Sequence, residues 1–148
     1  MLIIARTDAR ATHSMEEAIK RGKLAKEAGA DIVFPEAMES EDEFRQYADA
    51  VGRPLLANMT EFGKSPYLNV QQFHELGYAI VIFPVTAMRV AMKSVEAVLS
   101  DIKKTGTQTD WLERMQTRRE LYDLIEYDDY EEMDRQLSAD TKSQSTRH

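Results

Sequence analysis

Cysteine is absent from the 148-residue chain. That excludes a disulfide scaffold, thiolate zinc sites and a cysteine nucleophile among these residues. Basic residues are in deficit: 19 Lys and Arg against 26 Asp and Glu give a formal charge of −7. Such a balance speaks against a nucleic-acid or anionic-membrane surface, which needs a basic face. No apolar stretch approaches the roughly 20 residues of a membrane span. The apolar part of MLIIARTDAR is too short for a signal peptide, so a cytoplasmic setting is expected. Neither a GxGxxG nor a P-loop spacing occurs. What remains is globular in character, with 43% hydrophobic and 30% charged residues and enough length for one domain with a sizeable core.

The first half repeats one pattern four times. A short apolar run is followed by a polar residue, a helical stretch and a Gly- or Pro-marked return. The runs are Leu2–Ala5, Ile32–Pro35, Leu55–Ala57 and Ala79–Pro84, starting about 23 to 30 residues apart as successive βα units do. Near-continuous apolar runs without alternation are how parallel strands buried on both faces read. Between them, the spacing predicts helices over Ser14–Ala28, Glu41–Val51 and Val70–Leu76, with Ser14 as N-cap and Gly29, Gly52 and Gly77 as stops. Four units cannot close a (β/α)8 barrel, which needs about 250 residues. The expectation is an open sheet or half of something larger, and an initial Met placed inside a strand favours the half.

The second half reads as helical. Thr86–Lys104 carries Met88, Met92, Val95, Val98, Leu99 and Ile102 at three- and four-residue steps, and Asp110–Ile125 is a second helical candidate. The methionines are expected as core filler. Tyr127–Leu137 is acidic and weakly amphipathic, and Ser138–His148 holds almost nothing apolar, so it is expected to be a disordered tail. The expected division is residues 1–106 for the four units, 107–137 for C-terminal helices packing on the barrel or a neighbouring subunit, and 138–148 for the tail.

In parallel αβ folds ligands bind at the carboxyl ends of the strands. That edge carries Arg6 and Asp8 after the first run, Glu36 after the second, Asn58 and Thr60 after the third, and Thr86 and Arg89 after the fourth. Mutual neutralisation of Arg6, Asp8 and Glu36 explains the first three in purely structural terms. Polar groups at all four strand ends, with arginines whose forks fit carboxylate or phosphate, point to an anionic ligand. His13 and His74 lack metal-ligand spacing, and the acidic run Glu126–Glu132 reads as a solvated helix face.

At ARTDA (Ala5–Ala9), FPEA (Phe34–Ala37), LLANMTEFGKSP (Leu55–Pro66) and MQTRRELYDLI (Met115–Ile125) the chain resembles the methylisocitrate lyases of the isocitrate lyase/phosphoenolpyruvate mutase superfamily. The first two motifs are shared across that superfamily; NMTEFG together with the MQTR helix is more specific. The resemblance implies the C-terminal half of a (β/α)8 TIM barrel, four βα units followed by C-terminal helices. It implies cleavage of 2-methylisocitrate to pyruvate and succinate, with Mg²⁺ as cofactor and a homotetramer as assembly. Family substrate-contacting positions fall on Arg6, Glu36, Asn58, Met59, Thr60, Arg89 and Arg118. A wall of Phe34, Ile82 and Pro84 matches the methylisocitrate branch, where isocitrate lyases typically carry tryptophan and threonine. The family's metal-binding aspartates and its cysteine-bearing mobile loop have no counterpart in this sequence. No metal ligand or catalytic residue is therefore assigned here, and the chain alone is expected to be inactive. The rivals are a sister lyase (isocitrate lyase, a phosphonomutase, an oxaloacetate hydrolase or decarboxylase) and a non-catalytic half that only associates with a full-length subunit.

Overall fold

A computed structural model describes the backbone of Met1–Ser145 and the side chains as far as Ser138. The described chain falls into two compact units that divide between Ser94 and Val95.

In the first unit, strands β1 (Ile4–Thr7), β2 (Ile32–Pro35), β3 (Leu55–Asn58) and β4 (Tyr78–Ile82) form a parallel sheet in sequential order. The connections carry α1 (Ala9–Thr12), α2 (Met15–Glu27), α3 (Glu41–Val51) and α4 (Val70–Leu76), and α5 (Thr86–Thr105) comes after β4. The helix ends are where the sequence puts them. Ser14 accepts the Glu17 N–H at 3.2 Å and Ser40 the Glu43 N–H at 3.1 Å, each satisfying an orphan first-turn donor. Gly77 takes φ +94° to end α4, a left-handed position that favours glycine.

The two sheet faces have different partners because side chains alternate along each strand. On the helical side, Val33, Leu55 and Ala57 pack with Phe44, Tyr47, Phe73 and Tyr78. The rings of Phe44, Phe73 and Tyr78 meet edge to face, with centroids 5.1–5.6 Å apart. Tyr78 donates its hydroxyl to Phe44 O at 3.2 Å, and burial raises its pKa far above the ordinary tyrosine value. On the opposite face Ile32, Phe34 and Leu56 cluster with the half-buried Ile80 and Ile82.

The first strand starts later than the apolar run suggests, so Arg6 lies inside β1. Asp31 explains this: its carboxylate accepts the Ile3 N–H at 2.7 Å while Ile3 O accepts from Asp31 and Ile32, which makes Ile3 the anchor that precedes the ladder. Met88 and Met92 are exposed, and no residue of α5 is buried, contrary to the core-filler expectation. Of the apolar positions named above on that helix, Val98 is half-buried and the others are exposed. Met38 and Met59 do lie in the core.

In the second unit the candidate helix Asp110–Ile125 is split. Thr109–Arg114 forms a 3₁₀ helix and α6 runs Arg118–Leu124. The break comes from a capping box: Thr117 accepts the Glu120 N–H while Glu120 accepts the Thr117 N–H at 2.7 Å, so a new helix starts there. Trp111 is buried and donates to Asp101 at 2.9 Å. That bond ties the last turns of α5 to the 3₁₀ helix, and the division falls within α5 rather than at Gly106. α7 runs Tyr127–Ser145, so helix replaces the expected tail as far as Ser145. Residues 138–145 contain no Gly or Pro, and extending an existing helix avoids the cost of nucleation. The remainder of the expected tail, 146–148, lies outside the described residues.

Candidate active site

The register lines up the polar residues at the strand ends. Arg6 pairs with Phe34, Val33 with Leu55, and Leu56 with Ile80, which makes Arg6, Phe34, Leu56 and Ile80 one row of the face opposite the helices. One step nearer the carboxyl ends, Asn58 pairs with Ile82, and the same β2–β3 register sets Glu36 beside Asn58. An aliphatic floor thus carries a charged row.

Within that row Arg6 is shared. Its Nη2 lies 2.8 Å from Asp8 and 3.2 Å from Glu36, its Nε donates to Asp8 at 3.1 Å, and the guanidinium stands 4.9 Å from the Phe34 ring centre. The Arg6 hydrogen bond holds the Asp8 carboxyl below the usual aspartate range, and the Arg6 pKa is raised in turn. The neutralising triad of the structural explanation is therefore real, yet Arg6 remains half exposed. Asn58 donates its amide to Glu36 at 3.3 Å, while its Oδ1 is buried with no partner. Among the described residues this is the one buried side-chain polar atom left unpaired. An orphan acceptor costs about 1–3 kcal/mol, and a ligand O–H would relieve it.

The loops behind the row are cross-tied. Arg10 grips Glu43 with a two-bond fork at 2.7 and 2.9 Å, and Ser65 donates to Met38 O at 2.5 Å. The Arg10 bond keeps the Glu43 pKa low.

The third and fourth strand ends meet through Glu61. Its carboxylate accepts a hydrogen bond from the Thr86 hydroxyl. Arg89 Nη1 donates to Glu61 O at 2.9 Å and reaches Oε2 at 3.4 Å. The Thr86 hydrogen bond is the main reason the Glu61 pKa is lowered, with its own backbone and Arg89 adding to it. A cavity of about 360 Å³ beside this contact is lined by Met59, Glu61, Tyr67, Leu68, Phe83 and Thr86, among others.

The expected site residues thus fall into groups. Arg6, Glu36 and Asn58 form one network, with Phe34 and Ile82 on the same sheet face. Arg89 joins a second contact with Glu61. Thr60 is half-buried at the start of the β3–α4 loop. Met59 turns to the helical side, because the residue after Asn58 alternates away from the row; its side chain is taken up by the core. Pro84 is exposed in the turn after β4. Arg118 opens α6, in the second unit. Glu61 lies within the NMTEFG motif but was given no role there: a single acid in a loop carries no spacing signal, and only the fold reveals its partners at Thr86 and Arg89.

Asp8, Glu36 and Asn58 do not make a Mg²⁺ site. Magnesium demands near-octahedral oxygens at about 2.0–2.1 Å, whereas Arg6 already bridges the two carboxylates. Among the described residues no group of three Asp, Glu or His converges.

Parallel βα units in sequential order, with polar residues at their carboxyl ends, are how one part of an αβ barrel is built. The phosphoenolpyruvate phosphomutase family model matches residues 1–103, and the chain belongs to that family. It is 54% identical over 147 residues to a 2-methylisocitrate lyase of Aeropyrum pernix, covering 99% of this chain and 48% of that relative. The 2-methylisocitrate lyase of Bacillus subtilis is 49% identical over 138 residues, 93% of this chain and 46% of its own. A crystal structure of 2,3-dimethylmalate lyase superimposes with a TM-score of 0.81 at 34% identity, over 92% of this chain and 48% of that one. A phosphonopyruvate hydrolase complexed with oxalate and Mg²⁺ gives 0.75 at 25% identity, over 88% and 47%. The chain spans about half the length of the curated relatives it matches. Its fold is the four-unit half of a (β/α)8 barrel with C-terminal helices.

Proposed function

We propose that this chain carries the substrate-carboxylate edge of a 2-methylisocitrate lyase. The whole enzyme would cleave 2-methylisocitrate to pyruvate and succinate, in the cytoplasm and as a homotetramer. The observation that carries the proposal is the Arg6–Glu36–Asn58 row, in which a half-exposed guanidinium stands beside a buried, unpaired acceptor. Arginine forks take carboxylates, and Asn58 Oδ1 takes a hydroxyl proton; a hydroxylated tricarboxylate offers both.

In the retro-aldol step a base outside this chain would take the substrate hydroxyl proton, its C–O would become the pyruvate carbonyl, and the adjacent C–C bond would break. The electron pair is left on the succinate carbon, which takes up a proton. Arg6 and Arg89 would hold carboxylates, and Asn58 and Thr60 would orient the hydroxyl end; Arg118 falls on a further substrate-contacting position of the family. Phe34, Ile82 and Pro84 would form the wall for the methyl group. Mg²⁺, where present, would supply charge stabilisation from ligands outside this chain, as would the acid that protonates succinate.

Calorimetric titration of the chain with 2-methylisocitrate tests the assignment. Saturable binding that Arg6→Lys weakens about tenfold is expected, since a point charge cannot replace a fork. Equal binding by wild type and Arg6→Lys, or none by wild type, would contradict it.

A further inference from the structure

We infer that Glu61 is a positioning residue that fixes Arg89 for carboxylate binding, through a clamp joining the β3–α4 loop to the first turn of α5. The inference rests on the assignment of Arg89 as a substrate-binding residue.

Three contacts from two consecutive residues converge on one guanidinium. Glu61 O and Oε2 both take Arg89 Nη1, and the Phe62 ring lies with its centre 5.1 Å from the Arg89 guanidinium carbon. Phe62 holds φ +63°, a left-handed conformation uncommon outside glycine, Asn and Asp. Its N–H donates to the Tyr67 hydroxyl at 3.0 Å. A bulky aromatic kept in that conformation, and largely exposed, marks a turn constrained by its neighbours.

The carboxylate has a second engagement at the start of α5. That helix has no acidic residue in its own first turn. Glu61 supplies the negative charge from another element, through Thr86 Oγ1. Loop and helix start are thereby held together, with Arg89 between them.

The clamp leaves Arg89 able to act. Both Glu61 bonds use Nη1, so Nε and Nη2 keep the parallel pair of donors that a carboxylate accepts. Without Glu61, the long Arg89 side chain would have to be ordered at the moment of binding, at a cost in rotamer entropy.

The experiment is NMR of the whole chain labelled with ¹⁵N-arginine, reading the Arg89 Nε and Nη signals and following a titration with 2-methylisocitrate. Wild type is expected to show slow guanidinium rotation at Arg89. Glu61→Ala removes the carboxylate contact and the Thr86 tie but keeps the bond to the backbone carbonyl, so it is expected to speed that rotation measurably and leave Arg6 unaltered. It should also weaken binding about tenfold, the size of one hydrogen bond to a charged group. Thr86→Val, which removes only the helix-start contact, should leave Arg89 slow. If Glu61→Ala fails to fold by circular dichroism, Glu61→Gln is read in its place, with faster rotation and weaker binding expected. Arg89 rotation unchanged in the Glu61 variant, or faster without any loss of affinity while Arg89→Lys does weaken binding, overturns the positioning role alone. Affinity unchanged in Arg89→Lys, or no binding by wild type, overturns the substrate-binding assignment beneath it.

Discussion

Asn58 donates its side-chain amide to Glu36 at 3.3 Å while its own Oδ1 stays buried and unpaired. The two residues are neighbours across β2 and β3, and the pair leaves one lone-pair acceptor facing no donor. Retaining an unsatisfied acceptor costs stability, so Asn58→Leu is expected to unfold at an equal or higher urea concentration, by up to about 1 kcal/mol. The same variant should lose most affinity for 2-methylisocitrate. Loss of both stability and affinity would mean that Asn58 serves the fold.

Acid should weaken the first unit through Asp8 and Glu43. Both have folded-state pKa values depressed by an arginine hydrogen bond, Arg6 for Asp8 and Arg10 for Glu43. A depressed carboxyl stabilises the fold above its unfolded value, about 3.9 for Asp and 4.3 for Glu. That stabilisation disappears as pH falls through the lower folded value. Urea midpoints should therefore be flat from pH 7 to about 5 and drop below about pH 4. Glu43→Gln should show a shallower drop, and an identical drop would remove the Arg10–Glu43 pair from the explanation.

Gly22 sits where a Cβ would overlap the Tyr47 hydroxyl and crowd Val51. Tyr47 is fully buried and donates to Ala18 O at 3.3 Å, so it cannot swing away freely. Gly22→Ala should destabilise by about 1–3 kcal/mol for overpacking, offset in part by a helix-propensity gain of up to about 1 kcal/mol. In the Gly22→Ala background, Tyr47→Phe should cost less than in wild type, because it removes the nearest obstacle. Additive denaturation energies would contradict the packing account.

Among the described residues β1 and β4 each pair on one side only; at these two opposite edges Ile4 of β1 is exposed and Ile80 of β4 is half-buried. Open parallel edges of this kind promote association. Light scattering should show a mass that rises with concentration, and Ile4→Lys with Ile80→Lys should reduce it. A monomer at every concentration would mean the edges are covered.

Much of this fold was legible in the sequence, for identifiable reasons. β2 matched at both ends because Ile32–Pro35 is apolar throughout and bounded by Asp31 and Glu36. α3 and α4 matched because Gly52 and Gly77 end them. Arg6 falls inside β1 because the ladder starts only after Ile3, whose N–H is taken by the Asp31 carboxylate, and composition does not show register. Thr117-x-x-Glu120 was a readable capping box that the apolar periodicity of Leu112–Ile125 outweighed. The Asn58 orphan and the Glu61 clamp depend on contacts between chain segments, to which periodicity is blind.

Pyruvate release from 2-methylisocitrate in the presence of Mg²⁺ is the most direct measurement of what this chain contributes. The assay compares the purified chain with the same chain fused to the part of the Aeropyrum pernix relative that it does not cover. The chain alone is expected to release none, because no metal-binding acid cluster occurs among its described residues and a Lewis acid contributes several kcal/mol to such a step. The fusion is expected to release pyruvate and succinate in equal amounts. Pyruvate release by the chain alone, or a folded fusion that binds Mg²⁺ and releases none, would contradict the account.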